Sequence, residues 1–229
     1  MTINKYHIQV LAVEAAVVVF GAVLIFVVAW ARTVSQPTRA QAFLSDFLKL
    51  EVGKASFEEA KVVAQQHGGI PWYLPDGSMQ CTYQRCEFRF FFENKPLTST
   101  HLVPYTGLIA TIGVKDGVVV GRYVDYMRYA KRPFSYHVRE TLLPPTGTPE
   151  WEALRHKIGL SRMHVDPSGV ANAVSIGLEP SSSADQRRRA YALDLSCLSK
   201  LFGCGNPSAF FPHSIPYQGP PLQTHAETW

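Results

Sequence analysis

The chain has 229 residues, a formal net charge of +4 and 46% hydrophobic residues. This weak positive charge gives no electrostatic footprint for nucleic-acid binding, so we expect no nucleic acid among the partners. The sequence contains no internal repeat, and the residues beyond position 39 are enough for one domain with a hydrophobic core but too few for two.

An apolar run at residues 8–31 predicts a transmembrane anchor. The run carries no charged side chain from Ala15 to Ala31, and a helix needs about 20 apolar residues to cross the hydrocarbon layer. Glu14 lies near the first edge, where its side chain can reach the headgroups. Trp30 and Arg32 are typical of the aromatic and basic anchors at the opposite interface.

Two other kinds of segment share features of this run. Ala29-Trp30-Ala31 also fits a signal-peptide cleavage site after Ala31, although the run is longer than the usual apolar core of about 7–15 residues. This alternative stays open. A pilin-type segment would need a glycine five residues before Glu14, and that position holds Gln9. The pilin interpretation is therefore set aside.

Four cysteines, all located after the apolar run, predict an oxidising compartment. They form two close pairs, Cys81/Cys86 and Cys197/Cys204, and an even number on one side of an anchor fits disulfides. We expect the two local bonds, although four cysteines allow three connectivities. A zinc site and free thiols are the alternatives, but the spacings are looser than those of zinc knuckles.

The cysteines also predict the orientation, because the basic residues on the two flanks of the run are balanced. We expect a cytoplasmic tail at residues 1–7, a linker at 32–39, one extracytoplasmic domain at 40–205 and an irregular Pro-rich tail at 206–229. The protein is then a single-pass protein of the inner (plasma) membrane.

Two short helices are predicted at the start of the domain. Apolar residues recur at helical spacing over residues 40–50, and Gly53 is expected to end this helix. Ser56 and Glu59 form a capping box that begins a second helix. His67-Gly68-Gly69 ends that helix, so the pair predicts a helical hairpin.

From residue 80 the apolar period changes to two, which predicts β-strands. Phe88, Phe90 and Phe92 share one side of a half-buried strand. Asp116-Gly117 marks a tight hairpin between two β-rich runs.

Further strands are predicted at 134–139, 170–178 and 191–197. A helix capped by Thr148 lies among them, and a helical turn is expected from Leu198 to Phe202. The predicted fold class is α+β: a transmembrane helix, two short helices, then a mainly antiparallel sheet of about six to seven strands with one further helix.

The stretch Leu50–Ala60, followed by Cys81 and by Cys86-Glu87-Phe88-Arg89-Phe90, resembles a group of uncharacterised bacterial proteins. These have one N-terminal membrane segment, a Gly-x-Ser/Thr-x-x-Glu-Ala helix start and a cysteine pair before an aromatic strand. The resemblance covers about residues 40–125 and implies a bacterial cell-envelope protein without a known activity. The chain also resembles small outer-membrane assembly lipoproteins of the SmpA/OmlA type, but it lacks their lipid-bearing cysteine.

One sequence pattern suggests a hydrolase. His164, Asp166 and Ser168 form H-x-D-x-S, which could supply a base, an orienting acid and a nucleophile. The sequence Asp166-Pro167-Ser168-Gly169 is also typical of a tight turn, and no G-x-S-x-G motif accompanies it. We therefore interpret it as a turn.

Other candidate side chains also have simpler explanations. His67 could bind a metal or a substrate, but a histidine in the last helical turn suits the helix dipole. His101 and His137 have no partners at metal-ligand spacing. Arg187–Arg189 could bind an anionic lipid or polymer, although a solvated hairpin loop explains them. The phenylalanines at 88–92 could stack on sugars or nucleobases, although core packing is typical for such a row.

The sequence therefore predicts no catalytic, cofactor-binding or metal-binding residues. We expect a non-enzymatic, membrane-tethered domain with an interaction or structural role in the bacterial envelope, with the membrane and an envelope protein as partners. The alternatives are an envelope hydrolase whose site is assembled only in three dimensions, or a small-ligand sensor. A deep cleft with clustered His, Asp or Glu would favour the enzyme, and a shallow surface with apolar side chains would favour a partner site.

Overall fold

The computed structural model describes residues 5–72, 81–99, 103–129, 134–142, 162–165, 171–179 and 182–200. Helix α1 spans Lys5–Val34, and from Ala12 onward it belongs to a helical stretch that is long and apolar enough to cross a membrane. Its apolar side chains from Val13 to Val28 are exposed, with Phe20 at 71%. The exposed apolar surface agrees with the predicted anchor at 8–31.

Helix α2 spans Gln36–Phe47 and follows α1 after one residue, Ser35. The residues of the predicted linker at 32–39 are thus helical on both sides of Ser35. Helix α2 buries one apolar face. The residues of that face are Ala40, Phe43, Leu44 and Phe47.

The prediction that Gly53 ends this helix is wrong, because α2 already stops at Phe47. Gly53 lies instead in a turn at φ 84°, and its N–H donates to the carbonyl of Val119 at 2.8 Å. Val119 in turn donates to the carbonyl of Ala55. Hydrogen bonds to the sheet therefore compete with continuation of the helix.

Helix α3 spans Phe57–His67 and begins with the predicted capping box. The backbone N–H of Ser56 donates to the Glu59 carboxylate at 2.7 Å, and the N–H of Glu59 donates to Ser56 Oγ at 3.3 Å. Gly68 ends the helix in the left-handed region at φ 72°. Both predicted signals are confirmed.

A seven-stranded sheet follows, in the order β1-β2-β3-β4-β5-β7-β6. All neighbouring strands are antiparallel except β5 and β7, which are parallel. The predicted α+β class with a mainly antiparallel sheet is thus confirmed. The strands are β1 Ile70–Pro71, β2 Arg85–Glu93, β3 Tyr105–Lys115, β4 Val118–Tyr129, β5 Phe134–Thr141, β6 Arg162–Val165 and β7 Ala171–Leu178. A short helix, α4, spans Lys95–Thr98 between β2 and β3.

The β3–β4 hairpin fixes which side chains of β4 face the core. Asp116 and Gly117 have φ values of 49° and 78°, as the predicted two-residue turn requires. A β-bulge then shifts the register of β4. Val119 and Arg122 are consequently both buried although they are three positions apart, because a bulge adds one residue and reverses the alternation.

The core lies between one face of the sheet and helices α2 and α3. The ring of Phe43 on α2 is 4.4 Å from the Phe90 ring and 5.2 Å from the Phe92 ring, between centroids. Phe88, Phe90 and Phe92 are all buried, so the core interpretation of this row is confirmed. Phe91 points to the opposite side and is half-buried.

The predicted strand at 191–197 is wrong. Helix α5 spans Ala184–Ala190, and a 3-10 helix follows at Leu195–Leu198. The hydroxyls of Tyr126 and Tyr136 donate to the carbonyls of Asp194 and Ala190 at 3.0 and 2.8 Å. Tyr126 thus satisfies a carbonyl within this segment, and Tyr136 satisfies one at the end of α5.

The loop predicted around Arg187–Arg189 is also wrong, since these residues form the last turn of α5. A second capping box, with Ser183 and Gln186, begins this helix. The predicted helix after Thr148, the turn at 166–169 and the tail at 206–229 lie outside the described residues.

Candidate functional site

Strands β4 and β5 carry a pair of opposite charges on each face of the sheet. Arg122 lies directly opposite Glu140, and Asp125 lies directly opposite His137. Successive side chains of a strand point to opposite faces. One pair therefore faces α2 and the core, and the other faces away from the described helices α2 and α3.

The core-side pair belongs to a buried cluster. Arg122 and Glu140 are each 1% exposed and hydrogen-bonded to each other. Arg122 Nη1 also donates to the carbonyl of Phe47 at 2.8 Å, and Arg187 Nε donates to Glu140 Oε1 at 2.8 Å. The cluster thus joins the end of α2, the sheet and α5. With most of its polar atoms used internally, it is suited to holding these elements together.

The opposite surface is called the open face here. It consists of half-exposed side chains from four adjacent strands, and α2 and α3 pack on the other side. Its members are Glu87, Arg89 and Phe91 on β2, Ile109 and Thr111 on β3, Tyr123, Asp125 and Met127 on β4, and His137 and Arg139 on β5.

The charged part of the open face is the Asp125–His137 pair. His137 Nδ1 and Asp125 Oδ1 are 2.6 Å apart, and the two side chains are 26% and 32% exposed. A carboxylate can only accept, so Nδ1 is the donor, and the other ring nitrogen, Nε2, carries no hydrogen in the neutral ring. This arrangement can orient the imidazole and leave one nitrogen to accept a proton or a hydrogen bond.

The open face carries aromatic side chains, and near β1 it adjoins Trp72. The rings of Trp72 and Phe91 are 6.0 Å apart, and the Arg89 guanidinium lies over the Trp72 ring at 4.2 Å. Tyr123 lies on β4, and burial raises the pKa of its hydroxyl. Aromatic side chains, Arg and Met are enriched in protein–protein interfaces, where Lys, Glu and Asp are depleted.

A cleft lies between α3 and β2, beside a disulfide. Cys81 and Cys86 are bonded with their Cα atoms 4.4 Å apart, so this predicted local disulfide is confirmed. The cleft has a volume of about 390 Å³ and lies between α3 and β2. Its lining residues include Phe57, Lys61, Thr82, Tyr83 and Phe88. It has no cluster of His, Asp or Glu among these residues.

Cys197 is buried and also disulfide-bonded. Cys204 lies outside the described residues, so the predicted Cys197–Cys204 pairing stays a prediction. In the described part of the chain, no group of three or more His, Cys, Asp or Glu side chains is placed to hold a metal ion.

The histidines of the sequence analysis fall in different places. His67 Nε2 lies 2.9 Å from Asp46 Oδ2 and is 10% exposed, so it joins α3 to α2. Hydrogen bonds from Lys49 and then from His67 lower the pKa of Asp46. His164 lies on β6, whereas Asp166, Ser168 and His101 lie outside the described residues.

The three arginines at 187–189 have different partners. Arg187 reaches the buried Glu140, whereas Arg188 and Arg189 both pair with Asp185 on the same helix. Sequence reasoning missed both the role of Arg187 and the partner of His137.

The end of α1 forms a junction with the folded domain. Ala29 is 8% exposed and packs with Leu97 of α4 and with Val103, and Trp30 packs against the same cluster. Thr33 is buried and donates to the carbonyl of Ala29 at 2.9 Å. The domain thus covers the last turns of α1 and leaves the preceding apolar side chains exposed.

No family model, no curated protein and no solved structure matches this chain.

Proposed function

We propose that this chain is a single-pass membrane protein of the bacterial envelope whose extracytoplasmic domain binds a partner protein through the open face. The observation that carries the membrane part of the proposal is the boundary on α1. Apolar side chains are exposed up to Val28, and the domain begins to cover the helix at Ala29. An exposed apolar helix surface of this length fits a lipid environment.

The disulfides support an extracytoplasmic domain. Cys81, Cys86 and Cys197 are all disulfide-bonded, and such bonds persist mainly in oxidising compartments. A first apolar helix followed by an oxidised domain fits a chain whose domain has crossed the inner membrane.

The composition of the open face supports a partner-binding role. Its apolar and aromatic side chains are half-exposed, and its charged groups lie beside them on adjacent strands. This mixture resembles a protein interface more than the deep apolar pocket expected for a small ligand.

The test is photo-cross-linking in intact cells with p-benzoylphenylalanine at Tyr123. We expect one defined protein adduct, identified by mass spectrometry, that weakens when Arg89→Glu is added. The matched control places the same probe at Tyr83, which is 60% exposed but packs toward Phe57 on the helix side. Equal adducts at both positions, or none at Tyr123, would contradict partner binding by the open face.

The Asp125–His137 pair favours one alternative, an envelope hydrolase in which His137 is the base. Within the described ranges no hydroxyl or thiol is hydrogen-bonded to His137, which is why partner binding is preferred. A hydrolase predicts that the purified chain reacts with a broad serine-hydrolase probe such as a fluorophosphonate, and that His137→Gln abolishes labelling. The partner-binding proposal predicts no labelling in either case.

A further inference from the structure

We infer that the end of the sheet beside α1 is a second membrane contact, which binds the surface of an anionic lipid bilayer. This inference rests on the proposed function, because it assumes that α1 is the anchor. The surface is called the anchor-side rim. Its residues are Lys95 on α4, Tyr105 on β3, and Arg128 and Tyr129 on β4.

The junction with α1 places the anchor-side rim at the level of the membrane interface. Trp30 follows the exposed apolar stretch, and it packs with Leu97 and Val103. Interfacial tryptophans lie at headgroup level, so α4 lies at that level too. Tyr105 is two residues beyond Val103, and therefore within about 7 Å of it along the chain.

The rim presents two tyrosines of the kind that bind interfaces. The rings of Tyr105 and Tyr129 lie on adjacent strands with centroids 5.6 Å apart. Tyr129 is 59% exposed, although an aromatic ring at a strand end would gain from burial. A tyrosine has an apolar ring and a polar hydroxyl, so it suits the boundary between headgroups and acyl chains.

The charges of the rim favour anionic lipids. Lys95 is exposed at the start of α4, Arg128 precedes Tyr129 on β4, and Arg32 is exposed on α1. The nearby carboxylate of Glu93 accepts a hydrogen bond from Tyr105 Oη at 2.7 Å. Basic side chains near a bilayer are attracted by negatively charged headgroups.

The test uses the full chain reconstituted in lipid nanodiscs, with p-benzoylphenylalanine at one position in each variant. The Tyr129 probe tests the rim. The Phe20 probe tests the anchor, because this side chain is 71% exposed in the apolar part of α1. The Tyr83 probe is the matched control, because this side chain is 60% exposed. The carbonyl of Tyr83 accepts a hydrogen bond from Gly117 in the turn after β3. At the rise of a strand, the length of β3 separates this turn from the rim by about 34 Å.

We expect lipid adducts at Phe20 and Tyr129 and none at Tyr83. The Tyr129 yield should rise at least about twofold when phosphatidylglycerol replaces half of the phosphatidylcholine, and Lys95→Gln should reduce that rise. Adducts at Phe20 without adducts at Tyr129 would overturn the rim contact and leave the anchor intact. No adduct at Phe20 would overturn the proposed anchor and the rim contact with it. Equal yields in both lipid mixtures would overturn the preference for anionic lipids.

Discussion

Each face of strands β4 and β5 carries one pair of opposite charges, but the two pairs differ in burial. On the core side, Arg122 and Glu140 are 1% exposed and bound to α2 and α5. On the open face, Asp125 and His137 are about a third exposed and bind each other. Position along the strand decides between these outcomes, because neighbouring residues differ only in the face to which they point.

The difference in burial predicts a different role for each pair. A buried charge that loses its partner is costly, since water cannot replace that partner. A half-exposed pair is solvated and screened, so its loss costs little. We therefore expect the core-side pair to maintain the fold and the open-face pair to be available for a partner.

The largest expected effect is on the free energy of unfolding when one carboxylate of each pair is removed. Glu140→Ala leaves Arg122 buried without its carboxylate and should reduce the free energy of unfolding by about 3–5 kcal/mol. Asp125→Ala should cost at most about 1 kcal/mol. Chemical denaturation of the full chain in detergent micelles measures both. Similar losses for the two variants would show that the faces do not differ in this way.

A smaller effect is expected from the tyrosines of the same strands. Tyr136→Phe removes a buried hydroxyl that donates to the carbonyl of Ala190, and it should cost about 1 kcal/mol. Tyr123→Phe on the open face should be nearly neutral. The same denaturation assay compares them, and a larger loss for Tyr123→Phe would contradict the assignment of faces.

The smallest effect concerns pH and the partly buried Asp46–His67 pair between α2 and α3. Hydrogen bonds from Lys49 and His67 lower the pKa of Asp46 below its usual value. Its contribution to stability is therefore present above the pKa of an unfolded aspartate, about 3.9, and is lost as the pH falls through the lower folded value. Asp46→Asn should flatten this part of the stability profile between pH 5 and pH 2, measured by thermal melts. An unchanged profile would show that Asp46 does not contribute.

Much of the fold follows from local patterns. The capping box at Ser56, the left-handed Gly68 and the Asp116-Gly117 turn each depend on a few neighbouring residues, so the sequence predicts them. The strand predicted at 191–197 failed for the opposite reason. Its alternating apolar residues fit a strand, but the hydroxyl of Tyr126, distant in sequence, donates to the carbonyl of Asp194, and that of Tyr136 donates to Ala190 just before the segment.

The candidate site was less predictable. The Asp125–His137 contact depends on the register of two strands, and Arg122 faces the core only because a β-bulge shifts β4. Register is set by pairing over the whole strand and not by the residues themselves. The approach of Arg187 to Glu140 depends on the placement of α5, a helix that the local sequence pattern does not predict.

The central claim is that α1 anchors a domain that lies outside the cytoplasm. Fusions at Trp229 to alkaline phosphatase and to a cytoplasmically fluorescent protein test the location of the domain directly. Washing the isolated membranes of the same cells with alkaline carbonate tests the anchor. The account predicts an active phosphatase, a dark fluorescent fusion and full-length chain retained in the membrane. An inactive phosphatase fusion together with a fluorescent second fusion would place the domain in the cytosol. Release of the chain from the membrane by carbonate would contradict the anchor itself.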